Sequence, residues 1–180
     1  MKNKSKQAIQ TARRIYHYDE DEWERSYLSP RGDGFVVTQW ERIEESKASK
    51  AERLKFEKEM RMCKVLADNG YAVEFLHGVQ RPAGQTYDIR LNGIKADLKC
   101  VSKGPGNIVK YVKKALNQQG CEAVVMEIPS HSKVYYDAIT EARRKCDGRL
   151  FFYFSDDTEV KEIKKMRPVK TDPVAVHDRF

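Results

Sequence analysis

Apolar and polar residues alternate from Tyr87 to Cys100, in the stretch YDIRLNGIKADLKC, with Asn92-Gly93 in the middle. Asn-Gly between alternating runs predicts a β-hairpin closed by a type I′ turn. A two-residue turn fixes the register: Leu91 faces Ile94, Arg90 faces Lys95, Ile89 faces Ala96, and Asp88 faces Asp97. Upstream, an almost breaker-free run predicts one long helix from about Gln39 to Asn69, stopped by Asn69-Gly70. Its second half carries the apolar stripe Phe56, Met60, Cys63, Leu66 and Ala67 at the 3.6-residue period of a helix on a core. Its first half, residues 41 to 55, is mostly charged and is expected to be solvated.

Short strands are predicted at Phe35–Thr38, Ala72–Leu76 and Arg149–Ser155. Glu122–Ile128 is nearly continuously apolar, which predicts a central strand. Two further helices are predicted. One runs from an N-cap at Asn107 to Gln119, with Ile108, Val112, Ala115 and Leu116 inward. The other spans Lys133 to Lys145. Residues 1 to 14 suit a loose helix or arm. Residues 15 to 27, acidic and aromatic, suit an appendage or a mask over a basic surface. Ser29–Phe35, with its RGD tripeptide, reads as a turn. Glu159–Met166 is charged and ambiguous, and the prolines after Arg167 suggest a tail.

The element order predicts an α/β protein: a mixed sheet flanked by helices, preceded by an N-terminal helical extension. The expected division is an extension at 1–50, a catalytic domain at 51–166 and a flexible tail at 167–180.

Composition narrows the partners. The 180 residues carry a net charge of +7 and a pI near 9.2, which makes nucleic acid the natural polyanionic partner. No apolar run is long enough to span a membrane. The basic start lacks the apolar core of a secretory signal, so a cytoplasmic protein is expected. The chain has its own start methionine and shows no delivery domain, so a stand-alone protein is expected. Cys63, Cys100, Cys121 and Cys146 form no CxxC pair and have no histidine at ligand spacing. A zinc site is therefore not expected, and Cys63, Cys100 and Cys121, within or beside apolar patterns, read as small buried residues in a reducing compartment.

The hairpin raises a chemical question, because like charges directly opposed destabilise a sheet. A divalent cation reverses the sign of that interaction. Asp88 and Asp97 supply the oxygen ligands that Mg²⁺ and Mn²⁺ prefer. Lys99 projects from the same face as Asp97, two residues on, where an ammonium group can position a water or hold a phosphate. Those are the parts needed to hydrolyse a phosphodiester. The competing reading is a solvated face on which Arg90 and Lys95 pair diagonally with the two carboxylates. On the long helix, Glu59 falls at about 300° from Phe56 and Cys63 at about 340°, so Glu59 borders the apolar stripe. Such a carboxylate wants an arginine, a lysine or a metal. Glu52, two turns earlier on that face, is the fallback. Lys103, Lys110, Lys113 and Lys114 follow the hairpin and suit a track for a nucleic-acid backbone, beginning at the Gly104-Pro105-Gly106 loop.

Glu59, Asp88 and Asp97-Leu98-Lys99, with the predicted αβββαβ order, resemble the PD-(D/E)XK nuclease superfamily and its restriction-endonuclease-like core. The spacing of Glu59, Cys63, Leu66 and Gly70-Tyr71 resembles the first helix of tRNA-cleaving C-terminal domains of contact-dependent growth-inhibition toxins. So does the stretch Asn107 to Gln118, NIVKYVKKALNQ. The likeness covers about residues 52 to 128, more weakly to 155, and departs where Tyr87 replaces the name-giving proline. It implies a metal-dependent endonuclease with Asp88 and Asp97 as ligands to Mg²⁺ or Mn²⁺. Glu59 would be a ligand or water-orienting group, and Lys99 the catalytic lysine. Asn107 and Gln118 would join the lysines at the nucleic acid. It favours RNA of the tRNA type over DNA and adds an inhibitor protein as a partner. The alternatives are a DNA endonuclease of the same fold and a binding module without chemistry.

Overall fold

A computed structural model describes residues 2–78, 86–102 and 104–163. Eight strands form one mixed sheet whose spatial order is the order of the chain. Helix α1 (Lys2–Ile15) leads into β1 (Trp23–Leu28) and β2 (Phe35–Gln39). Helices α2 (Trp40–Ser46) and α3 (Lys50–Asp68) then cross to β3 (Ala72–Phe75), which lies parallel to β2. The hairpin β4 (Ile89–Leu91) and β5 (Ile94–Cys100) follows, then α4 (Ile108–Gln118) and β6 (Ala123–Ile128). The chain closes with α5 (Lys133–Lys145), β7 (Arg149–Phe154) and β8 (Asp157–Ile163). From α3 to β6 the order is αβββαβ, as expected.

The central strands run parallel, β5 to β6 and β6 to β7, and every residue of β6 is buried. A parallel sheet needs a helix on each face. One face packs Val73, Phe75, Ile89, Leu91, Ala96, Leu98, Val125 and Phe151 against Met62, Cys63, Leu66 and Ala67 of α3. The other packs Val124, Met126, Ile128, Leu150 and Phe152 against Ile108, Val112 and Ala115 of α4, and Ile139 and Ala142 of α5. Each fully buried aliphatic side chain contributes roughly 2 kcal/mol of transfer free energy. The approach of β2 to α3 is close: a Cβ on Gly34 would lie 2.0 Å from the Ala67 carbonyl oxygen.

The helix expected over 39–69 is two helices. Ser49 caps α3 by accepting a hydrogen bond from the Glu52 N–H at 3.1 Å, which breaks the run at 47–49. Nor is the charged stretch 41 to 55 wholly solvated, since Arg42 and Ser46 are buried. The stop at Asn69-Gly70 is as expected, with Gly70 at φ 85°. Residues 1 to 50 also do more than precede the core. Trp23–Leu28, which takes in the end of the acidic-aromatic segment, is an edge strand paired antiparallel with β2. The ambiguous Glu159 segment lies in β8, antiparallel to β7. The loop at 81–84, Lys103 and the tail from 167 lie outside the described residues. Cys63, Cys121 and Cys146 are buried, Cys100 is half-buried, and all four are free thiols.

Candidate active site

The hairpin register is the expected one, with Ile89 opposite Ala96, Arg90 opposite Lys95 and Leu91 opposite Ile94. Asn92 and Gly93 take the positive φ values, 48° and 87°, that a type I′ turn needs. Beyond Ile89 the ladder changes. The Asp88 N–H donates to the Ala96 carbonyl at 3.0 Å, and its carboxylate accepts the Leu98 N–H at 2.9 Å. A side-chain oxygen thus stands in for the strand, and the Asp88 carboxylate is fixed beside Asp97.

Ala96 and Leu98 belong to the core under α3, so Asp97 and Lys99 project to the face of α4 and α5. Their neighbours on β6, Val124 and Met126, lie in the core on that side. Asp97 is 1% exposed. Lys99 makes an ion pair with Asp97 Oδ2, yet neither Asp97 oxygen receives a well-directed hydrogen bond among the described residues. Burial first, then the negative charge of Asp88, push the Asp97 pKa up from 3.8 to about 7, against the opposing pull of Lys99. Arg90 does not pair with the hairpin carboxylates. It bonds Glu74 at 3.1 Å, which also accepts the Tyr18 hydroxyl at 2.9 Å.

Glu59 sits on α3, across the sheet from the Asp97 face. Its pKa is raised by burial and next by the charge of Asp88. Its Oε2 accepts a hydrogen bond from Arg42 Nη2 at 2.9 Å, and in this state the carboxylate is held by an arginine. Among the described residues no three Asp, Glu, His or Cys side chains are grouped to hold a metal ion. The Asp88–Asp97 pair still fits one. Mg²⁺ commonly takes one or two carboxylates and completes its shell with water and phosphate, and the undirected, buried Asp97 oxygens are acceptors suited to a cation. Glu52, the fallback, has one buried oxygen without a hydrogen-bond partner among the described residues.

Lys110, Lys113, Lys114 and Gln118 are exposed on α4. With Gly106 and Val109 they line a shallow depression of about 440 Å³, separate from the carboxylates. Asn107 makes no side-chain cap. It ends a 3-10 turn, Pro105–Asn107, that leads into α4, because Pro105 starts the turn before an asparagine cap can form. Arg42 is the residue of this network that patterning misses. It lies in a charged run, and nothing local ties it to a carboxylate 17 residues on, across a helix break.

These features define a mixed α/β protein with an αβββαβ core, in which a hairpin aligns two aspartates and a lysine. No protein-family model matches the chain, and no curated protein matches its sequence. A solved chain from the "CdiA-CT/CdiI toxin and immunity complex from Burkholderia pseudomallei" superposes with a TM-score of 0.51, covering 65% of this chain and 89% of that one. At 15% identity the two share a fold. No helix among the described residues is long and apolar enough to cross a membrane.

Proposed function

We propose that this chain is a metal-dependent nuclease of the PD-(D/E)XK type, a toxin-like enzyme that cuts RNA of the tRNA kind. The observation that carries the reading is Asp97: buried, with no well-directed donor, beside a second carboxylate and a lysine. Asp88 and Asp97 hold Mg²⁺ or Mn²⁺. When bound, the ion supplies a water of lowered pKa and positive charge for the phosphate. Lys99, paired with Asp97, is one-quarter exposed at its side chain. From there it donates to a non-bridging phosphate oxygen and offsets the charge that develops as water attacks phosphorus and the P–O bond to the leaving sugar breaks. Glu59 orients water or completes the ligand set. Lys110, Lys113 and Lys114 track the phosphate backbone, Gln118 adds a polar contact, and Lys103 and Asn107 flank them in sequence.

The fold shared with a chain of a toxin and immunity complex supports the toxin-like part. An inhibitor protein is the corresponding partner. Preference for RNA over DNA rests on the likeness to tRNA-cleaving toxin domains. The test is parallel digestion of tRNA, single-stranded DNA and duplex DNA with Mg²⁺ or Mn²⁺. Cleavage of tRNA by the parent is expected, with a loss of about a hundredfold or more in Asp97→Ala and Lys99→Ala. Cleavage of DNA alone moves the assignment to a DNA endonuclease. Undiminished cleavage by both variants removes these residues from the chemistry.

A further inference from the structure

Helix α1 lies on the same side of the sheet as the hairpin site. Its Ile15 packs with Phe35 and Val37 of β2, while Val36 between them faces the α3 core. α1 is therefore on the face shared by α4, α5, Asp97 and Lys99. On that face strand pairing sets Val37, Glu74, Arg90 and Lys95 in one row from β2 to β5. Asp97 follows Lys95 two residues on, and three strand spacings separate β2 from β5 by about 14 Å. Arg90 keeps 42% of its side chain exposed, so solvent reaches the middle of the row. The α1 sequence, KNKSKQAIQTARRI, carries five lysines and arginines and no acid. Arg13 and Arg14 are exposed and make no ion pair among the described residues. Tyr16, just past the helix, is 71% exposed. The Arg25 guanidinium lies over its ring, 4.4 Å from the centroid, and is itself held by Glu20 at 2.5 Å. Ile9, Ala12, Arg13, Tyr16 and His17 line a shallow depression of about 480 Å³.

We propose that this end of α1 is a second nucleic-acid contact, in which Tyr16 stacks an unpaired RNA base while Arg13 and Arg14 hold the flanking phosphates. The inference deepens the RNA reading above and rests on it. An exposed aromatic ring flanked by cations is the combination that holds single strands: the ring takes a base and the cations take the backbone. Arg25 backs one face of the ring and leaves the exposed remainder for stacking. An apolar partner would bury Arg13 and Arg14 without compensating charge, so the depression fits a polyanion that also carries flat rings. The exposed acids Asp19, Glu20, Asp21 and Glu22 follow Tyr16 in the chain and repel phosphate. That sets the polarity of the contact, with phosphates along the helix and the base at Tyr16. Duplex RNA keeps its bases stacked inside and offers the ring nothing, so the contact selects an unpaired segment. From Tyr16 a short run of nucleotides spans the row past Arg90 and Lys95 to Asp97 and Lys99.

The experiment is fluorescence anisotropy on the full chain in EDTA, so that no cleavage intervenes. The probes are an unstructured oligoribonucleotide of about twelve nucleotides and an RNA duplex of the same length. Tyr16→Ala is expected to bind the single strand about tenfold more weakly than the parent, and the duplex equally well. Tyr16→Phe, which keeps the ring, should stay within about twofold on both. Arg13→Gln should lower the salt slope on the single strand by about 0.7, and Tyr16→Ala should leave that slope unchanged. Tyr16 is exposed, so its loss leaves the core intact. Parent-like binding by Tyr16→Ala, an equal loss on the duplex, or a Tyr16→Phe variant as weak as Tyr16→Ala overturns the stacking contact. So does binding to phosphatidylserine vesicles that Tyr16→Ala abolishes while RNA binding is kept, which assigns α1 to a membrane surface instead. Cleavage separates the two ideas. If the parent cuts tRNA and Tyr16→Ala binds the single strand like the parent, the α1 contact fails alone. If Tyr16→Ala loses binding in a chain that cuts no RNA, the contact stands and the chemistry fails. A parent that binds neither probe removes the RNA reading and the α1 contact with it.

Discussion

Asp97 on β5 and Glu127 on β6 are buried carboxylates on adjacent strands, and they are kept in opposite ways. Glu127 accepts a hydrogen bond from Arg61 at 2.6 Å and another from the Ser155 hydroxyl at 3.4 Å. It is a carboxylate whose needs the fold itself meets. Asp97 has the repulsion of Asp88 and the ion contact of Lys99, with no well-directed donor to either oxygen among the described residues. Each carboxylate has a cation, Arg61 for Glu127 and Lys99 for Asp97, but only Asp97 also has a second carboxylate against it. The difference teaches where to look for chemistry: a buried acid met by well-directed donors holds the structure, and one set against a second carboxylate, with only an ion contact, suits a ligand.

The widest break between the two is in catalysis. Asp97→Ala is expected to lower cleavage by about a hundredfold or more, while Glu127→Gln should leave it within a few fold. Initial rates on one RNA substrate measure both. A Glu127→Gln variant as inactive as Asp97→Ala would erase the distinction.

Stability sharpens it next. Burial and the charge of Asp88 push the Asp97 pKa in the folded chain up from the ordinary 3.8 to about 7. Between those values the unfolded chain has lost a proton that the folded chain keeps, so stability falls as pH rises through that window. Asp97→Asn should flatten this part of the profile and, without divalent metal at pH 7.5, stabilise the fold by about 1–3 kcal/mol. Urea midpoints at pH 5 and 7.5 check this, and a variant less stable than the parent at pH 7.5 would contradict it.

Glu127 should answer with the opposite sign. Arg61→Met leaves it without its guanidinium partner and should cost about 1–3 kcal/mol, since the side chain of Arg61 is largely exposed and water can replace part of the contact. Adding Glu127→Gln should recover part of that loss. The same urea midpoints, run as a double-mutant cycle, measure both steps.

The smallest effect concerns the substrate track. Each of Lys110→Gln, Lys113→Gln and Lys114→Gln should reduce the salt slope of RNA binding by about 0.7. Binding isotherms at several salt concentrations read it. Slopes unchanged in all three would place the RNA elsewhere.

Local signals in the chain spoke clearly. Asn92-Gly93 carries its own turn geometry, so the hairpin and its register were readable, as was the αβββαβ order. The helix break was written in Ser49-x-x-Glu52, a capping pattern hidden inside a charged run. β1 was obscured by the acidic residues before it, although its aromatic and apolar positions Trp23, Tyr27 and Leu28 suit an edge strand. β8 was obscured in the same way, its charges being those of a strand at the sheet edge. The candidate site divided along the same line. Asp88, Asp97 and Lys99 share one hairpin, and the turn brings them together. Glu59 was readable as a carboxylate wanting a partner, but Arg42 was not readable as that partner, because only the tertiary fold brings α2 against α3. Nor does any local pattern show that Glu127 is satisfied, because its arginine comes from α3, which only the tertiary fold brings over that face of β6.

The most direct test of the claim that Asp97 is kept for a cation is calorimetric titration of Mn²⁺ into the parent, Asp97→Asn and Glu127→Gln. The account predicts binding in the parent and in Glu127→Gln, and its loss in Asp97→Asn. Binding that persists in Asp97→Asn, or that disappears in Glu127→Gln instead, would contradict it.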